Sequence, residues 1–365
     1  PDGLTSIGYA AFSSCTALAG DLVFPDSLTY IGSIAFSTCT SLTGTLIFPA
    51  SLTAIYPSAF LGCTGLDKVV LFLGNAPKDT EQVFVSGTTV YYRSGTSGWP
   101  SDGGWWCDYP LKEVPGDTVA IGLCDAEEGG EDLIWRLGQD GTLTVSGSGA
   151  MANYSGTTAT PWSRYSGSIY KVKVESGVTS IGSHAFDGFA AMTNVSLPDG
   201  LTSIGYAAFE NCTALTGELS LPKSLTSIGI RAFMNCTALS GELVIPDGVR
   251  TIAEESFRGC SGLTGTLRIP SGVSEIRSGA FMGCTGLSKL ILPDTINTIR
   301  DHAFYECTGL SELILPRPLF SATIEEAAFF GCTGLRGTLT IPKNVCLQGG
   351  AFAGCTGITA FAAED

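Results

Sequence analysis

The chain has 365 residues, 44% hydrophobic and only 15% charged, which supplies apolar material for two or three folded domains and excludes a disordered tail. A formal charge of −15 excludes wrapping of nucleic acid and adhesion to an anionic bilayer, because most of the surface would repel either partner. No apolar run approaches the roughly 18 to 20 residues of a spanning helix; the best, Val69 to Leu73, is strand-sized, so a soluble chain without membrane insertion is expected.

Repetition comes before any single element. Residues 1–32 laid on 198–229 agree at 24 of 32 positions, and both open PDGLTSIGYAAF. An Ala-Phe or similar dipeptide anchors each unit, its Phe recurring at Phe12, Phe36 and Phe60 in residues 1–73, a first array of three anchors. The unit reads approximately L-T-x-I-G-x-x-A-F-x-x-C-T-x-L-(T-G)-x-L-x-I-P. In its second half alternate residues such as Leu219 and Leu221 share one face of a short strand, and a Pro without an amide hydrogen then ends the strand. A single coil cannot bury this much apolar surface, but stacked coils can, so a solenoid is expected. Neither an initiator Met nor a leader precedes the first coil, and no cap opens it, which suggests a fragment of a longer protein.

The pattern stops at Gly74. Residues 74–120 read as a closing cap and linker, with a strand over Thr88 to Arg93 and a dense aromatic group ending in GGWWCDYPL. Residues 121–168 read as an opening cap. An acidic stretch, Asp125, Glu127, Glu128, Glu131 and Asp132 around Gly129-Gly130, has linker composition and suggests hinge motion between arrays. Strands from Asp132 to Leu137 and from Thr142 to Ser146 then flank a Gly138-Gln139-Asp140-Gly141 turn.

The second array fills 169–365 with eight anchors, Phe186, Phe209, Phe233, Phe257, Phe281, Phe304, Phe329 and Phe352, and no closing cap is recognisable after Phe361. Within both arrays the anchors are spaced 23 to 25 residues apart, inside the window of leucine-rich repeats. The repeated LTSIGxxAFxxCTxLTGxLxIP, the GNAP…TVYY…GTSGW segment and the LIWRL-GQDGTLTVSGSGAM…TPWSRY segment together resemble the BspA-like leucine-rich-repeat family of bacterial cell-surface proteins. The resemblance implies a β-rich leucine-rich-repeat solenoid, with short strands and turns or short helical segments per coil, in two arrays separated by a β-rich capping region. It implies display on the cell surface or secretion. It also implies a role in adhesion and protein recognition, with a host or microbial surface or extracellular-matrix protein as the partner.

Ten of the thirteen cysteines, from Cys15 to Cys355, lie three residues after an anchor Phe. No CxxC pair or His partner accompanies them, so a repeated buried niche for a small apolar thiol is the reading, with no metal and no cofactor. Side chains stacked in register hold their Cβ atoms about a strand spacing apart, too far for a disulfide, so free thiols are expected. Phe189 fills the niche of the first coil of the second array. Cys107, Cys124 and Cys346 break the rule, and a Cys107–Cys124 bridge is the alternative there. His184 and His302 lie two residues before an anchor, where the other coils hold varied residues, which reads as an exposed position. No nucleophile elbow, phosphate loop or convergent carboxylate pair appears, so no catalytic residue is named and no enzyme is expected. The NCT triplets at Asn211 and Asn235 belong to the repeat and are discounted as glycosylation sites.

Recognition by a solenoid uses the variable outward strand positions. Here these are headed by Glu218, Glu242, Val244, Arg268, Lys289, Ile291, Glu312 and Ile314, a mixed charged and apolar face suited to a protein partner. Glycan binding is the competing class, because all five Trp fall between 99 and 162 and Trp105-Trp106 could stack on sugars; the same aromatics also suit a cap. Calcium at residues 125–132 and a passive structural spacer complete the alternatives.

Overall fold

The anchor dipeptide builds a turn whose backbone alternates hand. In the Phe233 coil, Arg231 and Asn235, two residues either side of the ring, have φ of 57° and 59°, and the same two positions are left-handed in every coil. Their N–H groups and that of Phe233 point along the stack, donating to Glu254 O (3.0 Å), Ser256 O (2.8 Å) and Arg258 O (2.7 Å) of the next coil. A non-Gly left-handed residue costs roughly 1 kcal/mol, and three inter-coil bonds offset it. The variability that the sequence shows two residues before each Phe therefore marks a position chosen by backbone, with exposure that varies: His184 there is largely buried, its Nδ1 2.9 Å from Asp187 Oδ2, while the His302 side chain is 43% exposed.

The computed structural model describes residues 2–78, 81–100, 103–125, 133–156, 158–317 and 321–363. Each coil adds two straight runs to the turn. One is the L-x-I run read from the sequence, a paired strand in coils such as Gly265–Arg268 and Leu287–Ile291. Earlier it is held only by isolated bridges at Gly217, Gly241 and Val244, so the strand expected at Leu219 and Leu221 is not formed. The other is a two- to four-residue strand at Thr-Ser-Ile, such as Ser203–Ile204 pairing in parallel with Ser227–Ile228. Coils stack so closely along this run that a Cβ on Gly229 would lie 2.5 Å from the backbone of Gly205. Among the described residues the only helix is the 3-10 turn Ser163–Ser168.

Inside, the anchor rings form one column. From Phe186 to Phe352 successive centroids are 5.0–5.5 Å apart and nearly parallel. Burying each ring contributes about 1.5–3 kcal/mol, and each stacked pair adds about 0.5–1.5 kcal/mol. The ladder cysteines do more than fill space. From Cys39 to Cys355, each Sγ donates at 3.0–3.2 Å to the carbonyl of the anchor Phe one coil back. A small apolar side chain with one weak donor fits that niche, and the thiols remain unbridged, as expected. Cys107 and Cys124 also stay as thiols, one exposed and one buried, so the alternative bridge is not formed.

The chain divides into two units, Pro1–Cys124 with Ile134–Leu143, and Asp125–Leu133 with Thr144–Asp365. In the first, the strands Gly20–Val23, Leu42–Phe48 and Leu66–Phe72 pair in parallel and continue, beyond the point where the sequence pattern stops, into Thr89–Arg93 and Tyr109–Val114. Phe84, 24 residues after Phe60, takes the next anchor position, with Gln82 left-handed before it. The sheet ends where Trp105–Trp106 pairs antiparallel to Tyr109–Val114. Tyr109 replaces the missing coil: the Phe84 N–H donates to its Oη (2.8 Å), and its hydroxyl donates to Phe84 O (2.9 Å).

In the second unit Trp162 performs the converse service. It lies 24 residues before Phe186, stacks on that ring at 5.5 Å, and its indole Nε1 donates to Ala185 O (3.0 Å), the acceptor that an earlier coil would use. From there two strand ladders run through the array. One includes Val178–Ile181, Ser203–Ile204 and Ser227–Ile228, then Glu275–Ile276, Thr298–Ile299, Ala322–Ile324 and Val345–Leu347. The other carries Lys171–Val174 and Asn194–Ser196, then Gly265–Arg268, Leu287–Ile291 and Glu312–Ile314, and lastly Gly337–Ile341 with Ile358–Ala363. The two strands expected around the Gly138–Gly141 turn occupy Leu133–Gly138 and Thr142–Gly147, with the Asp140 carboxylate accepting from the Thr142 N–H at 2.9 Å. The acidic residues 126–132, and with them the calcium and hinge readings, lie outside the described residues.

Candidate interaction surface

On the second unit the L-x-I runs, strands from Gly265 to Ile314 and isolated bridges in the coils just before them, present two outward columns. Register places Thr266 opposite Lys289 and Lys289 opposite Glu312 in one, with Glu218 and Glu242 at its earlier coils. In the other, two residues before each strand-ending Pro, Val244 bridges to Arg268, Arg268 lies opposite Ile291, and Ile291 opposite Ile314. All eight sequence-predicted residues thus lie on one side of the stack. Glu218, Glu242, Arg268 and Glu312 are exposed, Val244 is 67% exposed, and Lys289 and Ile291 are half-buried. Lys289 Nζ lies 2.6 Å from Glu312 Oε1, a solvated ion pair of about 0–1 kcal/mol. Arg268 makes no ion pair to a described residue. Past Ile314 the sheet parts, because Glu312–Ile314 and Gly337–Ile341 belong to separate sheets, and a groove of about 560 Å³ opens beside Leu313, Ile314, Leu315 and Leu339.

The first unit does not share this open face. Its corresponding residues Ile47, Val69, Leu71 and Tyr91 form a second apolar cluster with Val114, Ile121, Leu123 and Ile134, separate from the ring column. The cover is the antiparallel pair Thr118–Leu123 and Leu133–Gly138, with Leu123 opposite Ile134. Arg93 Nε donates to Thr118 O and Arg136 Nη1 lies 3.6 Å from Asp117, fixing its edge. Outward positions of the repeat are therefore not open in both arrays. Thr118–Leu123 forms one strand across the expected boundary at residue 120 between the closing cap with its linker and the opening cap. The signal for the cover lay in Val69–Leu73, since a strand buried on both faces reads as an unbroken apolar run. Beneath the cover, burial pushes the Asp67 carboxyl above its ordinary pKa, although the Thr45 hydroxyl donates to it at 2.6 Å.

Trp105 and Trp106 do not make a joint platform. Consecutive strand residues face opposite ways, and Trp106, 6% exposed, turns into the cap, its ring 5.4 Å from both Phe72 and Trp99, whereas Trp105 is 64% exposed. Burial holds the inner thiols of the ladder neutral, while at its end the hydrogen bond with Cys332 lowers the Cys355 thiol. Burial raises Cys63 to about 11 and Cys307 to about 12, and pushes Cys260 and Cys284 up as well, so a reactive thiolate is suppressed. Among the described residues no group of three His, Cys, Asp or Glu could hold a metal ion, and no helix is long and apolar enough to cross a membrane.

Comparison with known proteins returns one matching family description, "BspA type Leucine rich repeat region", in six copies over residues 1–84, 164–241 and 241–359. No curated protein matches. Among solved structures, a leucine-rich repeat protein from Bacteroides ovatus is 23% identical, covering 96% of this chain and 80% of its own, with a TM-score of 0.49. A leucine rich cell surface protein from Faecalibacterium prausnitzii is 21% identical over 99% of this chain and 83% of its own, with a TM-score of 0.36. The pneumococcal vaccine antigen PcpA is 16% identical over 100% and 75%, with a TM-score of 0.41.

Proposed function

The chain belongs to the BspA-type leucine-rich-repeat family, and from that premise we propose that it is a non-enzymatic binding or adhesion protein, displayed on the cell surface or secreted, that recognises protein partners through the open sheet of its second array. One observation carries this reading. The inward positions of every coil are committed to the ring and thiol columns, while the outward positions Glu218, Glu242, Val244, Arg268, Lys289, Ile291, Glu312 and Ile314 lie uncovered on one face. The apolar column with Arg268 in it fits the core of a protein interface, which favours apolar side chains and Arg, and the glutamates beside it fit a polar rim. A host or microbial surface protein or an extracellular-matrix protein is the partner class.

The test is binding of the chain to parallel protein and glycan arrays, beside Glu242→Ala/Arg268→Ala/Lys289→Ala and Trp105→Ala variants. Protein binding that falls at least roughly tenfold with the triple change and survives Trp105→Ala is expected. Glycan binding that depends on Trp105 and ignores the triple change would move function to the cap.

A further inference from the structure

This inference rests on the reading above and names what the open face takes. The molecule contains one occupied example of its own outward column. In the first array the next-to-last strand residues, Ile47 and Leu71, and their neighbour Tyr91 are covered by the apolar side of an antiparallel strand pair, through Ile121, Leu123 and Ile134. In the second array the same column holds Val244, Arg268, Ile291 and Ile314, and no described residue covers Val244 or Ile314, which are 67% and 42% exposed.

The pitch is shared, because parallel coils place successive side chains about 4.8 Å apart in both arrays, so a surface that accepts a sheet in one accepts a sheet in the other. Across these four coils the column departs from apolar chemistry at one place, with Ser220 before them and Thr340 after them. Arg268 interrupts the apolar column, and it has no ion-pair partner among the described residues, whereas Lys289 beside it is held by Glu312. A complementary occupant needs a carboxylate there. Glu218 and Glu242 in the adjoining column repel acidic groups elsewhere and so fix where that carboxylate sits. The groove beside Leu313 and Leu339 gives the end of the column room for one anchoring side chain.

We propose that Val244, Arg268, Ile291 and Ile314 receive a β-hairpin of a partner protein, one face apolar and carrying an Asp or Glu opposite Arg268, seated as Thr118–Leu123 and Leu133–Gly138 are seated on the first array. Face-to-face packing buries the apolar column, and the carboxylate satisfies the guanidinium as it leaves water.

The experiment pans a phage library of disulfide-closed hairpins, randomised on one face, against the full chain, with a library of helical peptides in parallel. Selected clones are then measured on Val244→Asp/Ile314→Asp and on Arg268→Glu, each checked for unchanged melting. Enriched hairpins should carry apolar residues around a central Asp or Glu and lose roughly tenfold or more in affinity on either variant. Replacing their central acid by Lys should restore binding to Arg268→Glu. Hairpins that bind the wild type and the Val244→Asp/Ile314→Asp chain equally overturn the proposal, as does column-dependent binding found only among helical peptides. Failure to enrich any column-dependent hairpin overturns it as well. In each case the broader reading still stands if array hits remain sensitive to the Glu242, Arg268 and Lys289 changes, and it falls separately if they do not.

Discussion

The strand that runs into Pro49 and the extended run into Pro246 follow one template, yet Ile47 of the first is packed under the cover and Val244 of the second faces water. The inward half of the template is the same in both, with Leu46 and Phe48 matched by Leu243 and Ile245 in the ring column. What separates the two faces is a piece of chain outside the repeat, the pair of strands laid over the first array. The repeat therefore determines that a sheet exists, and non-repeating sequence determines whether that sheet is surface or core.

The largest expected effect sets Leu71→Asp against Val244→Asp. Leu71 is fully buried under the cover, so an unpaired carboxylate there should cost about 3 kcal/mol or more, while the same change at Val244 should stay within about 0.5 kcal/mol. Denaturant unfolding of the two variants decides it, and equal losses would mean that the faces are not different in kind. Gly122→Ala comes next. A Cβ there would lie 2.5 Å from Trp135 Nε1 and 2.9 Å from Thr45 Oγ1, so the cover must shift, at about 1–3 kcal/mol, with faster amide exchange across Thr118–Leu123. An unchanged exchange pattern would show that the cover seats without that close approach.

The smallest effect is electrostatic. Because burial raises the Asp67 pKa in the fold, the native state holds this proton more tightly than the unfolded chain. Its contribution is thus favourable at low pH and is lost as pH rises from about 3.8 through the raised value. Asp67→Asn keeps an acceptor for the Thr45 hydroxyl, so it should flatten that part of the pH–stability curve and modestly stabilise the chain at pH 7. A variant with the wild-type slope in that window would remove Asp67 from the account.

Much of this was legible in residues with a fixed spacing. Phe, Cys and Pro each do one job per coil, so their period gave the solenoid, the unbridged thiols and the ends of the strands. Phe84 and Trp162 also keep the 24-residue step, but their surroundings have lost the rest of the motif, and only the stacked rings reveal them as the last and first members of their columns. The second strand at Thr-Ser-Ile was hidden because two residues are too short to display alternation. The cover over the first array was hidden for a different reason: it depends on contact between segments some fifty residues apart, and one sequence contains no register for that. Ser256 shows the opposite limit. It replaces the Ala that precedes nearly every other anchor, is fully buried, and its hydroxyl finds no hydrogen-bond partner among the described residues; nothing in the structure explains it.

The turn at each anchor Phe has one more consequence. Its contacts to the next coil are main-chain bonds, and its left-handed positions accept His, Arg, Glu, Ala or Gly alike. A coil copied by unequal crossing-over in the coding DNA would meet the same sockets on both sides whatever side chains it brought, so such an array can lengthen first and diversify its outward columns afterwards. Between residues 1–32 and 198–229, which agree at 24 of 32 positions, the turn itself takes Ser13 and Ser14 in one copy and Glu210 and Asn211 in the other, while Asp21 and Val23 give way to Glu218 and Ser220 in the outward columns.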